Sequence, residues 1–129
     1  MEYEQSVLIP NNFQTYRTVR DYSHGQKIFW KSILSCFFRV MIYNGQLDII
    51  IAWPLTENFL QSLKWDAERN YTSTERTKWH VGTELAGYVK TVGNFTQVLV
   101  RNAGHMVPYD QPKWAFDLIH RFTSGKAFD

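Results

Sequence analysis

The sequence predicts an α/β protein: a mixed sheet with helices packed against it. Three observations carry that reading. A dense apolar run from Phe37 to Tyr43 ends at Asn44-Gly45. Its length and its aromatic and β-branched content suit a strand buried on both faces, as in a parallel sheet. Two β-rich runs, Ala86 to Val92 and Phe95 to Val100, flank Gly93-Asn94 and read as a hairpin. Two amphipathic segments open on Pro54 and Pro112, and a proline suits the first helical turn because its missing N–H would be unbonded there anyway.

Residues 1–27 show little periodicity and read as loosely structured. Val7-Leu8-Ile9 is stopped by a turn at Pro10-Asn11-Asn12, a short strand is expected over 15–20, and 21–25 carries turn chemistry. Phe29, Trp30, Ile33 and Leu34 are near helical spacing and predict a short helix over 28–34. After Pro54, the stripe Leu55, Phe59, Leu60, Leu63 is expected to face the core, with Thr56, Glu57 and Gln61 toward water. Residues 66–78 are polar and read as a loop that can hold a turn of helix. In the last helix, Ala115, Leu118, Ile119 and Phe122 follow the helical pattern, Gly125 caps the end and Arg121 complements the dipole.

The chain has 129 residues and a formal net charge of +2, which predicts one globular domain without the basic stripe of a nucleic-acid binder. Its longest uninterrupted apolar run, Ile49 to Trp53, is far too short to span a membrane. The polar start, Met1 to Gln5, does not read as a secretory signal. Cys36 is the single cysteine, so an intrachain disulfide and a cysteine-rich zinc site are both excluded; it reads as an inert thiol. His24, His80, His105 and His120 lack metal-ligand spacing, so neither metal nor other cofactor is expected. Aromatic residues reach 16%, more than a small core readily covers, so some rings are expected to face something outside it.

Two segments share one layout: a buried strand, a tight glycine turn, then an ionisable residue. They are Tyr43 to Asp48 and Arg101 to Pro108, presenting Asp48 and His105. In open α/β sheets catalysis gathers at the carboxyl ends of strands. Each residue alone has a plainer use, as a turn cap or a structural histidine. Together, Asp before His matches the order of the last two members of an α/β-hydrolase triad.

Tyr-x-Gly-x-x-Asp at 43–48 and Gly-His-Met-Val-Pro-Tyr-Asp-Gln-Pro at 104–112 resemble the Asp and His signatures of the serine carboxypeptidase family. Ala86-Gly-Tyr-Val-Lys90, Phe95-Thr96, Ala115-Phe-Asp117 and Arg121-Phe122 are similar to that family as well, and Tyr43 to Ala52 is most like its vitellogenic-carboxypeptidase-like branch. The resemblance covers 39–129 and leaves 1–38 unassigned. It implies the C-terminal portion of an α/β-hydrolase domain, with an incomplete mixed sheet, from a secreted or lysosomal enzyme that removes single residues from peptide or protein C-termini. It further implies Asp48 as triad acid, His105 as triad base and Met106 lining the pocket for the departing residue, core filling being the other use of Met106. Gly45 and Gly104 would permit the turns, and Asn102 stands where the family often has Gly.

The family's Gly-Glu-Ser-Tyr-Ala-Gly elbow and its Trp-Asn-Gly-Gly-Pro-Gly segment do not occur, and none of the seven serines has an elbow context. The chain alone is therefore expected to be inactive. An acyltransferase with the same triad and a non-catalytic binding or regulatory fragment are the other readings. With central strands missing, Phe37, Phe38 and Trp53 are expected to lose their cover, which predicts marginal stability and self-association through an exposed sheet edge. Asn70-Tyr-Thr72 and Asn94-Phe-Thr96 fit the N-glycosylation sequon, Asn94 being the better placed.

Overall fold

The computed structural model describes residues 6–9 and 39–128. The expected strand over 15–20, the helix over 28–34, Cys36, Phe37 and Phe38 lie outside the described residues. Five strands form one mixed sheet in the order β1-β2-β5-β4-β3. They are β1 (Ser6–Ile9), β2 (Arg39–Gly45), β3 (Thr77–Val81), β4 (Glu84–Val92) and β5 (Phe95–Val100). β1, β2 and β5 run parallel, whereas β4 and β3 extend the sheet antiparallel. The helices are α1 (Trp53–Ser62), α2 (Glu68–Ser73), α3 (Val107–Asp110) and α4 (Pro112–Ser124).

β2 explains itself by its side chains. Val40, Met41, Ile42 and Tyr43 are all buried, because successive residues point to opposite faces and both faces are covered. Val40 and Ile42 pack with Phe59 and Leu60 of α1 and with Leu63, Trp65 and Tyr71. Met41 and Tyr43 pack with Val98 and Val100 and with Leu118 and Phe122 of α4. Each such aliphatic or aromatic side chain contributes about 1.5–3 kcal/mol when buried. Trp79 of β3 is fully buried on the α4 side, and its indole N–H donates to Asp117 Oδ2 at 2.9 Å, so the largest core ring also has its polar edge satisfied.

The hairpin forms as expected around Gly93, at φ 56°, with Val92 paired to Phe95. α4 also forms as expected. Gly125 closes it in the left-handed conformation at φ 70°, and the Lys126 N–H donates to Arg121 O at 2.9 Å.

Four expectations are corrected. β2 is flanked on both sides, because Ser6–Ile9 pairs in parallel with residues 39–42 where an open edge was expected. The loop expected over 66–78 contains α2 and leads into β3, an edge strand with one fully buried side chain. The core face of α1 is also rotated: Thr56 is fully buried, while Leu55 is 47% exposed. Trp53, at the start of α1, is half-buried, with the Arg76 guanidinium 4.6 Å from its ring centre. Ile119 of α4 is likewise partly exposed, and Trp114 takes its place in the core.

Candidate functional site

β2 and β5 are adjacent and parallel, so the loops that follow them leave the same edge of the sheet side by side. Backbone bonds join the two loops. Gln46 N–H donates to Val100 O and Leu47 N–H to Ala103 O, both at 2.8 Å. Gly45 allows this approach. A Cβ there would lie 2.0 Å from Gly104 O and 2.4 Å from Ala103 O, so any side chain would push the loops apart. The Gly45 requirement is thus close contact, not an unusual φ. The left-handed residue of the second loop is Asn102, at φ 51°. Asparagine tolerates that conformation, so this position keeps the turn that a glycine would give. The Gln111 amide donates to Asn102 O at 3.0 Å and holds it.

The joined loops bring Asp48 and His105 together across 57 positions of sequence, with Nδ1 of His105 2.9 Å from Oδ2 of Asp48. The Asp48 side chain is fully buried and that of His105 is 21% exposed. Oδ1 of Asp48 accepts the N–H groups of Ile50 and Ile51 at 2.8 and 3.0 Å. Burial by itself would raise the Asp48 carboxyl. The hydrogen bond from His105, those from Ile51 and Ile50, and the imidazole charge together outweigh it and hold the pKa below the ordinary value. Asp48 is therefore a carboxylate with one oxygen bound by backbone and the other by the imidazole. The contact makes Nδ1–H the donor in the neutral ring, which leaves Nε2 with its lone pair as a base.

Met106 follows His105 at the start of α3 and is 55% exposed, so it is not core filling. α3 is held by Asp110, whose Oδ2 accepts the Gly104 N–H at 2.7 Å. Asn70 on α2 and Asn94 at the hairpin tip are both exposed. Sequence reasoning singled out neither Asp110 nor Asn44. The Asn44 side chain is fully buried, and its Nδ2 donates to Ile51 O at 3.1 Å. Around the pair, Leu47, Ile49, Ile50 and Tyr109 are exposed apolar side chains. Among the described residues no group of histidine, cysteine and carboxylate side chains could hold a metal ion, and no helix is long and apolar enough to cross a membrane.

A family model described as serine carboxypeptidase matches residues 5–125. The chain is 65% identical over 95 residues to venom serine carboxypeptidase from Apis mellifera, covering 74% of this chain and 20% of that protein. It is 52% identical over 94 residues to vitellogenic carboxypeptidase from Aedes aegypti, covering 73% and 20%. Among solved structures, a prohormone-processing carboxypeptidase from Saccharomyces cerevisiae, Kex1(Δ)p, superposes with a TM-score of 0.66 at 26% identity, covering 78% of this chain and 22% of that one. The chain thus spans about a fifth of the length of the relatives it matches.

Proposed function

The chain belongs to the serine carboxypeptidase family, and from that premise we propose that it supplies the acid and base of a serine-type hydrolysis at peptide C-termini. The observation that supports this reading is the 2.9 Å contact between Asp48 and His105 at the carboxyl ends of two parallel strands. In this reading Asp48 fixes the tautomer and stabilises the imidazolium, while Nε2 of His105 takes the proton of an attacking serine hydroxyl and returns it to the leaving amine. Met106, exposed beside His105, would line the pocket for the departing residue.

The 129 residues include no elbow serine, so the chain by itself is proposed to be inactive, the nucleophile and oxyanion donors belonging to sequence outside it. Losing a single oxyanion donor already costs about 2.7–4 kcal/mol of barrier. The purified chain is expected to give no labelling with a fluorophosphonate probe; stoichiometric labelling lost on His105→Ala would overturn that part.

The catalytic reading is tested in a chimera, with residues 39–129 replacing the matching segment of the honeybee relative. Cleavage of a blocked dipeptide is expected, falling about 10⁴-fold in kcat on Asp48→Asn, and similarly on His105→Ala. Undiminished turnover in both variants would sink the assignment. A secretory route is proposed with it. Asn94 is exposed at a hairpin tip, and Asn94→Gln should remove one glycan increment from the secreted chain; an unchanged mass would exclude that site.

A further inference from the structure

Asp48 needs two things to act on His105: a fixed carboxylate plane and one oxygen turned to Nδ1. The loop that provides them, 48–52, has little packing of its own. Ile49 is 93% exposed and Ile50 59%, so Ile51 alone anchors the loop through a buried apolar side chain, the other buried side chain being Asp48 itself. Its conformation therefore depends on polar contacts.

Ile51 is held through both of its backbone groups. Its N–H donates to Oδ1 of Asp48 at 3.0 Å, and its carbonyl accepts Nδ2 of Asn44 at 3.1 Å. We propose that Asn44 is the positioning residue of the Asp48–His105 pair: its side-chain amide anchors the Ile51 carbonyl, which keeps the Ile50 and Ile51 N–H groups on Oδ1 and leaves Oδ2 for the imidazole. The proposal rests on the catalytic reading of that pair.

The chemistry of Asn44 supports the role. Only the NH₂ end of an amide can meet a carbonyl oxygen, so the orientation of the side chain is fixed by its partner. The other end, Oδ1, is buried and has no hydrogen-bond partner among the described residues. An unmatched buried acceptor forfeits its hydration without return, a loss that a leucine of similar size would avoid. Stability therefore does not account for an asparagine here, whereas anchoring the loop does. Asn44 is also rigidly placed, in register with Leu99 in the parallel β2–β5 pair. Asn44 touches neither Asp48 nor His105 in any hydrogen bond, so its effect passes through Ile51.

The test uses the full chain and two variants, Asn44→Leu and Asn44→Ala. Three signals are followed by NMR: the downfield Nδ1 proton of His105, amide exchange at Ile50 and Ile51, and the Asp48 carboxyl titration. Both variants are expected to speed exchange at Ile50 and Ile51 at least tenfold, to broaden or abolish the Nδ1 proton, and to move the Asp48 titration upward. Exchange at Val98 and Val100 should hold in Asn44→Leu, which a merely structural role would not predict. Retention of the Nδ1 proton and of both protected amides in the two variants would overturn the proposal. So would loss of protection across the sheet in both. Absence of the Nδ1 proton from the unmutated chain would instead remove the pair itself, and with it the catalytic reading.

Discussion

The two faces of the sheet are built on different rules. Under α4 the cluster is apolar almost throughout, with Met41, Val98, Val100, Leu118 and Phe122 meeting side chain to side chain. Under α1 and α2, Val40, Ile42 and Phe95 share the space with buried polar groups: Asn44, Thr56, Lys90 and Gln97. There the Tyr71 hydroxyl lies 2.6 Å from Gln97 Oε1 and 3.1 Å from Glu57 Oε1, and Lys90 Nζ donates to Tyr71 O at 3.2 Å. Burial first, then the neighbouring Glu57, push the Tyr71 phenol far above its usual range, so it is always a donor. Volume secures one face and hydrogen bonding orders the other, and the Asp48 loop is anchored from the ordered one. Low dielectric makes such buried bonds directional and makes their loss expensive.

The largest effect is expected from a cavity on the apolar face. Phe122 is fully buried and also lies beneath the Arg39 guanidinium, 4.8 Å from its ring centre. Phe122→Ala should lower unfolding stability by about 3–5 kcal/mol, as large core truncations do. Urea melts followed by circular dichroism would read it. A loss below about 1 kcal/mol, the usual range for surface changes, would mean that the face under α4 does not carry the fold.

A smaller effect is expected on the polar face. Tyr71→Phe removes one hydroxyl and little volume, so packing against Trp65 and Phe95, at ring separations of 5.9 Å each, is kept. Gln97 Oε1 is left buried without its donor, which should cost about 1–3 kcal/mol. An unchanged melt would show that Gln97 finds another partner and that the network is packing in disguise. The pair of variants separates the two rules, because one removes volume and the other removes a bond.

This difference also explains what was legible in the sequence. β2 and the β4–β5 hairpin were readable as continuous runs rich in β-branched and aromatic residues, and α4 because its buried positions repeat at helix period; their ends carry Gly or Pro. Asp48 and His105 were readable because each follows such a strand in a fixed order. β3 was not: of Thr77–Val81 only Trp79 is fully buried, and one buried residue makes no period. The face of α1 was misread because Thr56 enters the polar side of the core while Leu55 turns outward; a hydropathy stripe cannot show that a buried position is polar. β1 was missed because four residues, Ser6–Ile9, are too short to show alternation. Asn44 was hidden for the same reason as Thr56, since an asparagine beside a glycine reads as a turn until its partner, Ile51 O, is seen.

The smallest expected effect lies where the polar face meets the site, and it appears as a slope instead of a loss at neutral pH. The Asp48 carboxyl sits below its ordinary value of 3.8, because the bonds from His105, Ile51 and Ile50 outweigh its burial. A group depressed in the folded state binds protons more weakly there than in the unfolded chain. Its contribution is therefore fully present above the unfolded pKa and disappears as pH falls through the folded one. Stability measured from pH 6 downward, a range chosen to bracket the ordinary carboxylate value of about 3.9, should show an acid limb that is shallower in Asp48→Asn. The amide cannot titrate, so the part of the slope owed to Asp48 is absent in that variant. The limb should likewise be shallower in Asn44→Leu, and complete at higher pH, because a loosened Ile51 weakens two of the three bonds that depress the carboxyl and brings its folded pKa nearer the unfolded one. Superimposable acid limbs in all three proteins would show that Asp48 gains no more from the folded loop than from water, and the polar face would then order the core without ordering the site.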